Sequence, residues 1–447
     1  MPYILNTPKD IEQMLKVIGV SSVEELYQDI PSSIRLKGSL SLREGLSEFE
    51  VKKEIEALSR KNTPLSRFNS FLGAGCYDHY VPAAVEAILA SSSFLTAYTP
   101  YQAECSQGSL EAIYEYQSFI CDLTGMDVSN ASLFDGASAL AEAALMSLRI
   151  TGRKKILIHG LHPEYRKTLD TYLLGLEFSV EEIPSGSDGF IDKKALEESL
   201  NDEVACFAFA SPNFFGLIED AQSFTPNLKS KGVLGVMVAN PLSLAMLNPP
   251  ALFGIDIVCG DGQALGGRLN FGGPAFGLLA SKGQYLRHMP GRIIGKTHDK
   301  DGSPAYCLTL QTREQHIRRQ KATSNICSNH SLNAIGAAIY LSLMGEKGLR
   351  SVSLMSFDNA QYLYQRLKEI RGIKLPYGRR FFNEFVWEVE EAASVMEKLR
   401  NKNIIAGYYL GNDFPEFKNR ILSCCTETKS KDDIDNFIQE LAEVLHG

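Results

Sequence analysis

Blocks of apolar residues alternating with amphipathic segments organise the middle of the chain. Ile156–Ile158, Phe178–Ile183, Val204–Ala210, Val233–Ala239 and Ile255–Val258 are short apolar runs, and the segments around 163–175, 192–200 and 221–231 have helical length with one apolar face. This alternation predicts a mostly parallel sheet with helices on both faces, since strands buried on both sides read as continuous apolar runs. The loops after the strands' carboxyl ends then share one edge of the sheet, where ligands of α/β proteins sit. Four such loops carry chemistry: His159-Gly160-Leu161-His162-Pro163, Ser211-Pro212-Asn213-Phe214-Phe215-Gly216, Asn240-Pro241-Leu242-Ser243, and a glycine-dense stretch from Gly260 to Gly273. A second apolar run, Ala275–Ala280, follows the glycines.

The flanks follow other patterns. In residues 1–65, Ser22-Val23-Glu24-Glu25 and Ser47-Glu48-Phe49-Glu50 match capping boxes, and Phe49, Val51, Ile55 and Leu58 form an apolar stripe, predicting a helical docking arm. Residues 66–330 form the large α/β domain. It opens with the glycine-punctuated stretch Phe71–Tyr80 and a helix over Pro82–Ser91. Ser109–Thr124 is a helix with Leu110, Ile113, Tyr116, Ile120 and Leu123 on one face and Gly125 as its stop, and an alanine-rich helix covers Ala137–Ile150. Residues 331–447 read as a small α+β domain: helices over 332–343 and 349–370, a strand near 383–389, a helix at 391–401, apolar stretches at 404–410 and 420–424, and a last helix from about Asp432.

Composition narrows the class of protein. With 44% hydrophobic residues, the 447-residue chain can bury a large core. A net charge of −8 leaves no basic surplus for neutralising phosphates, which argues against nucleic-acid binding. No apolar run approaches about 18 residues, so no membrane span is expected. Nine dispersed cysteines without metal-ligand spacing, and no basic-then-apolar leader, predict a reducing, cytoplasmic setting and no metal site.

Candidate chemistry begins with Tyr98-Thr99-Pro100-Tyr101-Gln102-Ala103-Glu104, a loop rich in phenols and amides that is read as lining a pocket rather than as a plain surface turn. Gly136-Ala137-Ser138 opens a helix and could cradle an anion, because free amides and the positive end of the dipole converge there. Gly291–Thr297 looks like a phosphate loop but has one residue too few between its glycines. Gln311–Asn325 concentrates basic and imidazole groups and reads as a solvated helix face, an anion site or a subunit contact.

An arm, a large parallel-sheet domain, a small α+β domain and a helix start suited to phosphate together resemble pyridoxal-phosphate enzymes of the aspartate-aminotransferase type, fold type I. Such an enzyme needs a lysine for the Schiff base and an acid against the pyridinium nitrogen. Here the acid position after strand 233–239 is Asn240, and the loop after strand 255–258 contains no lysine; Lys282 and Lys296 lie elsewhere and read as surface residues. The helix start at Gly136, Ala137 and Ser138 is therefore read as vestigial.

Longer motifs carry a closer resemblance. Tyr98–Gln102 with Glu104 and Ser106-Gln107-Gly108, Asn130–Gly136, Pro212–Gly216, Pro241–Leu244, Phe271-Gly272-Gly273-Pro274, Met289–Arg292, Leu308–Arg319 and Lys321–Cys327 resemble the α, N-terminal-half (subunit 1) chains of glycine decarboxylase, the P-protein of the glycine cleavage system. Ala103, Gln320 and His330 depart from the residues expected there (proline, glutamate and glutamine). The resemblance implies an α2β2 assembly in which a separate β chain holds the lysine-bound pyridoxal phosphate. Glycine is decarboxylated there, and the aminomethyl group passes to the lipoyl group of the H carrier protein. This chain then acts across the interface: Tyr98, Tyr101, Gln102 and Glu104 reach the partner's glycine or lipoyl pocket, and Thr323 and Ser324 donate to the partner's coenzyme phosphate. Two alternatives remain at this point, a non-catalytic scaffold subunit and a self-sufficient pyridoxal-phosphate enzyme.

Overall fold

The computed structural model describes residues 5–38, 40–273, 275–326 and 329–447, so Pro274 and Cys327 of the motifs above lie outside the described residues. The chain divides into two units, Met1–Pro64 and Leu65–Gly447. The first carries helices Pro8–Ile18 and Glu48–Ser59, each closed at its start by a reciprocal capping box, from Thr7 and Asp10 and from Ser47 and Glu50. None of its described side chains is buried; Phe49, Ile55 and Leu58 are all exposed. The capping box expected at Ser22 does not form. The Val23–Tyr27 turn is 3-10, Ser22 makes no cap, and Glu25 instead accepts from the amide and hydroxyl of Ser21.

The second unit is built on a seven-stranded sheet. After the two-residue β1 (Asn69–Ser70) come β2 (Val128–Ser129), β3 (Lys155–His159), β4 (Ser179–Glu182), β5 (Val204–Ser211), β6 (Leu234–Ala239), β7 (Ile257–Asp261) and β8 (Gly277–Ser281), in the order β2-β8-β7-β6-β5-β3-β4. From β7 to β4 the pairings are parallel; β8 runs antiparallel to β7 and β2. Side chains alternate faces as the pleat requires. Phe207, Phe209, Met237 and Val258 enter one core with Tyr116 and Ile120, while Cys206, Ala208, Val236 and Cys259 enter the other beneath the Gly136–Thr151 helix. That helix is buried almost all round, which accounts for its alanine content: only small side chains let it approach the sheet closely.

Several boundaries differ from the sequence reading. β7 starts at Ile257, because Asp256 turns back to accept from the amide of Gly235, and it runs on through Gly260 and Asp261 by pairing with β8. The Gly291–Thr297 stretch, already one residue short of a phosphate loop, enters a hairpin, β9 (Ile293–His298) with β10 (Pro304–Thr309), in which Gly295 faces Cys307. The region 221–231 splits into a 3-10 turn and a short helix, Thr225–Ser230. In 311–325 only Gln315–Arg318 is α-helical, and Arg313 is buried rather than solvated.

The helices expected at 332–343 and 349–370 are one element, Ser331–Lys368, interrupted only at Gly345, whose φ is 58°. Its first half (Ala334, Ala337, Ala338, Leu341) packs on the sheet core. Its second half (Ala360, Leu363, Leu367) packs on a separate core built by β11 (Glu384–Glu388), β12 (Ile404–Ile405), β13 (Tyr408–Tyr409), β14 (Arg420–Cys424) and the Lys431–His446 helix. Trp387, fully buried there, donates from Nε1 to Ser423 Oγ at 2.7 Å. Among the described residues no helix is long and apolar enough to cross a membrane.

Candidate functional site

The carboxyl edge of the parallel strands holds a cleft of about 700 Å³, mouth included. His162 follows β3, Pro212 to Phe214 follow β5, Asn240 and Pro241 follow β6, and Asp261, Gln263 and Ala264 end or follow β7. The convergence of these loops on one edge agrees with the strand–loop reading of the sequence. The remaining walls come from Gly75 and Tyr77, from Tyr165, and from Asn383 and Glu384 at the start of β11.

Two carboxylates, Asp261 and Glu384, line the cleft among largely apolar walls. Glu384 Oε1 accepts from the Tyr77 hydroxyl at 2.7 Å and Oε2 from the Ala74 amide at 3.0 Å. Burial nevertheless pushes its carboxyl up to about 7, against the effect of those two bonds. Gln263 clips the same segment, its Nε2 donating to Tyr77 O and its Oε1 accepting from Tyr77 N–H. His162 Nε2 lies 2.9 Å from Ala74 O, and burial lowers its pKa. Residues 74–77 are thus tied into the cleft by three separate elements.

The Gly136–Thr151 helix points its start at the same place, but two of its first three amides are already used. Gly136 N–H donates to Asp261 Oδ2 at 3.1 Å and Ser138 N–H to Asp135 Oδ1 at 2.7 Å. The Ser138 hydroxyl donates to Asp135 O at 3.0 Å. Asp261 Oδ1 accepts from Gln263 N–H at 2.8 Å, and burial raises its carboxyl to about 6. A Cβ on Gly136 would lie 2.1 Å from the Tyr165 hydroxyl, so the space over the glycine is also filled. No lysine or arginine lines the cleft among the described residues; Asn240 follows β6, where the sequence reading looks for an acid, and Gln263 and Ala264 follow β7, where it looks for a lysine. Lys282 is ion-paired with Asp256, and Lys296 is exposed on the hairpin. These residues do not fit a covalently held pyridoxal phosphate.

The loop expected to line a pocket lies elsewhere. Tyr98, Tyr101, Gln102 and Glu104 are all exposed, and none lines the cleft. Tyr101 is held: its hydroxyl accepts from Arg292 Nη2 at 2.8 Å, and its ring meets that of His316 edge-on at 5.4 Å. Arg292 and Glu314 are both buried, with Nε and Oε2 3.5 Å apart; burial raises the Glu314 carboxyl while Arg292 opposes the rise. Arg313 donates to Gly291 O at 3.1 Å and also to Met289 O. Three distant motifs, around 101, 289–292 and 313–316, therefore converge on one surface. Thr323 N–H donates to Arg313 O at 3.0 Å, and the Ser324 hydroxyl donates to Glu142 Oε1 at 2.9 Å. The sequence reading did not single out Asp261, Gln263, Tyr165, Asn383 or Glu384. The signal available for two of them was an acid among glycines and an acid opening an otherwise apolar strand.

Residues 1–441 match the family profile described as glycine cleavage system P-protein. A relative from Desulfitobacterium hafniense, described as a probable glycine dehydrogenase (decarboxylating) subunit 1, is 48% identical over 99% of this chain and 100% of its own length. A crystal structure of glycine decarboxylase (P-protein) of the glycine cleavage system, in inhibitor-bound form, superposes with a TM-score of 0.90 at 39% identity, covering 99% of this chain and 100% of that one. At 14% identity and a TM-score of 0.63, over 85% of this chain and 97% of the other, a C-DES variant with glycine covalently linked to its PLP cofactor shares the fold alone. The architecture is thus that of fold type I pyridoxal-phosphate enzymes, and the chain belongs to the glycine cleavage system P-protein family.

Proposed function

We propose that this chain is the α subunit of a glycine dehydrogenase (decarboxylating), an oxidoreductase of the glycine cleavage system, and that the pyridoxal phosphate it works with is carried by a separate β chain in an α2β2 assembly. The observation that carries the reading is the cleft. It lies at the strand edge where the fold's coenzyme is expected but presents Asn240 after β6 and no lysine after β7, and Asp261 takes the first amide of the helix start. Bound in the partner, the coenzyme supplies the electron sink that lets glycine lose CO2, after which the aminomethyl group passes to the lipoyl disulfide of the H carrier protein.

This chain's part is to complete the partner's site. Tyr98, Tyr101 and Gln102 orient substrate by hydrogen bonds, and Glu104 holds the amine or moves a proton. Their exposure supports the reading, as does the fixing of Tyr101 by Arg292, because a group that acts across an interface must be both accessible and oriented. Thr323 and Ser324 donate to the partner's coenzyme phosphate, Ser324 exchanging its present bond to Glu142. The exposed apolar stripe of the 48–59 helix docks on the β chain. The dispersed unpaired thiols suit a cytoplasmic setting.

Reconstitution tests this. Glycine-dependent CO2 exchange is expected only when chain and β subunit are mixed, and Glu104→Gln is expected to cut it by roughly tenfold or more without loss of assembly. Exchange by the chain alone, or a borohydride-reduced phosphopyridoxyl label on one of its own lysines, contradicts the proposal. Unchanged turnover in Glu104→Gln removes that residue.

A further inference from the structure

A helix start binds a phosphoester when its first amides are free and its partial positive charge is uncompensated. In this chain two of the first three amides are taken, and the charge is compensated, from within. Asp261 and Asp135 bring two carboxylates to the start of the Gly136–Thr151 helix, and each takes one of its first amides. The two differ in origin. Asp135 is the local N-cap, such as many helices carry. Asp261 arrives from the end of β7, 125 residues away in sequence, and the Gln263 amide fixes its orientation. Nothing local to the helix calls for it.

We propose that Asp261 is the residue that bars phosphoesters from this cleft: an internal anion seated in the cradle, so that refusal of the coenzyme is built into this chain and does not follow from the missing lysine alone. A phosphoester entering the cleft would meet a carboxylate at the position its own oxygens need, and like charges so placed cost orders of magnitude in affinity. The Tyr165 hydroxyl, packed against Gly136, narrows the approach to that glycine. With its carboxyl at about 6, Asp261 is predominantly ionised at pH 7.5, so the repulsion operates under ordinary conditions. The proposal deepens the reading that the coenzyme belongs to the partner, and rests on it.

The test is isothermal titration of the full-length chain at pH 7.5 with pyridoxine 5′-phosphate, which has the phosphate but no aldehyde to react with surface lysines. Pyridoxine and orthophosphate serve as controls. The wild type is expected to show no binding at millimolar concentrations. Asp261→Ala, which removes charge and bulk, is expected to bind roughly a hundredfold more tightly than the wild type; Asp261→Asn, isosteric and neutral, roughly tenfold. Both are checked for native circular dichroism, and the isosteric variant carries the test if the alanine variant does not fold. A folded variant with wild-type affinity overturns the role of Asp261 while leaving the coenzyme with the partner. Submillimolar binding of pyridoxine 5′-phosphate by the wild type overturns it without either variant. Borohydride-fixed pyridoxal phosphate on one defined lysine of the wild type instead overturns the proposed function itself.

Discussion

Replacing Glu384 by glutamine should make the protein less sensitive to alkaline pH, and the structure gives the size of the effect. The carboxyl moves from 4.5 to about 7 on folding because burial penalises its charge more than the Tyr77 hydroxyl and Ala74 amide stabilise it. Between those two pH values the folded chain keeps a proton that the unfolded chain has released. Stability from this group is therefore whole below about 4.5 and is lost as pH rises to and through about 7, a total of about 3 kcal/mol. Asp261, raised from 3.8 to about 6, acts in the same direction at lower pH. Glutamine reproduces the neutral acid: its carbonyl accepts from Ala74 N–H and its amide donates to the Tyr77 oxygen. Glu384→Gln should thus match the wild type within about 1 kcal/mol at pH 5 and exceed it by about 3 kcal/mol at pH 8. The assay is built in, because the chain's single tryptophan, Trp387, lies three residues along the same strand with its indole fully buried. Urea titrations followed by its fluorescence from pH 5 to 8.5 read out the difference directly. An offset that is constant across that range, or a glutamine variant destabilised at every pH, would refute the reasoning.

Two further outcomes are expected. Arg292→Ala leaves the buried Glu314 carboxylate without its main counter-charge and should cost about 3 kcal/mol in the urea midpoint, most of it restored by adding Glu314→Gln, so that a double-mutant cycle shows strong coupling. Phe49→Asp, on the exposed stripe of the arm, should leave the isolated chain within about 0.5 kcal/mol of wild type yet weaken assembly with the β subunit by roughly tenfold or more in sedimentation velocity; unaltered assembly would show that the stripe is not a docking face.

The sequence by itself determined the sheet and its occupied faces. Apolar runs spaced by amphipathic segments fold as parallel strands with covering helices because no other arrangement buries both, and β3, β5 and β6 lie within a residue or two of the runs that announced them. It also put Asn240 after β6 and no lysine in the loop after β7, and its long motifs carried the family. What it could not decide was where carboxylates go. Asp261 reads as one acid in a glycine loop, and Glu384 as the polar start of a strand. Only the pairing of β7 with β8 carries the first to the Gly136–Thr151 helix, and only the packing of β11 against residues 74–77 buries the second. The Tyr101 loop shows the same limit. Its composition announced polar work, but whether it faces inward or outward depends on Arg292 and Glu314, nearly 200 residues away. Local periodicity encodes burial because burial repeats with the backbone's own pitch; the meeting of charges does not repeat, and only the closed chain decides it.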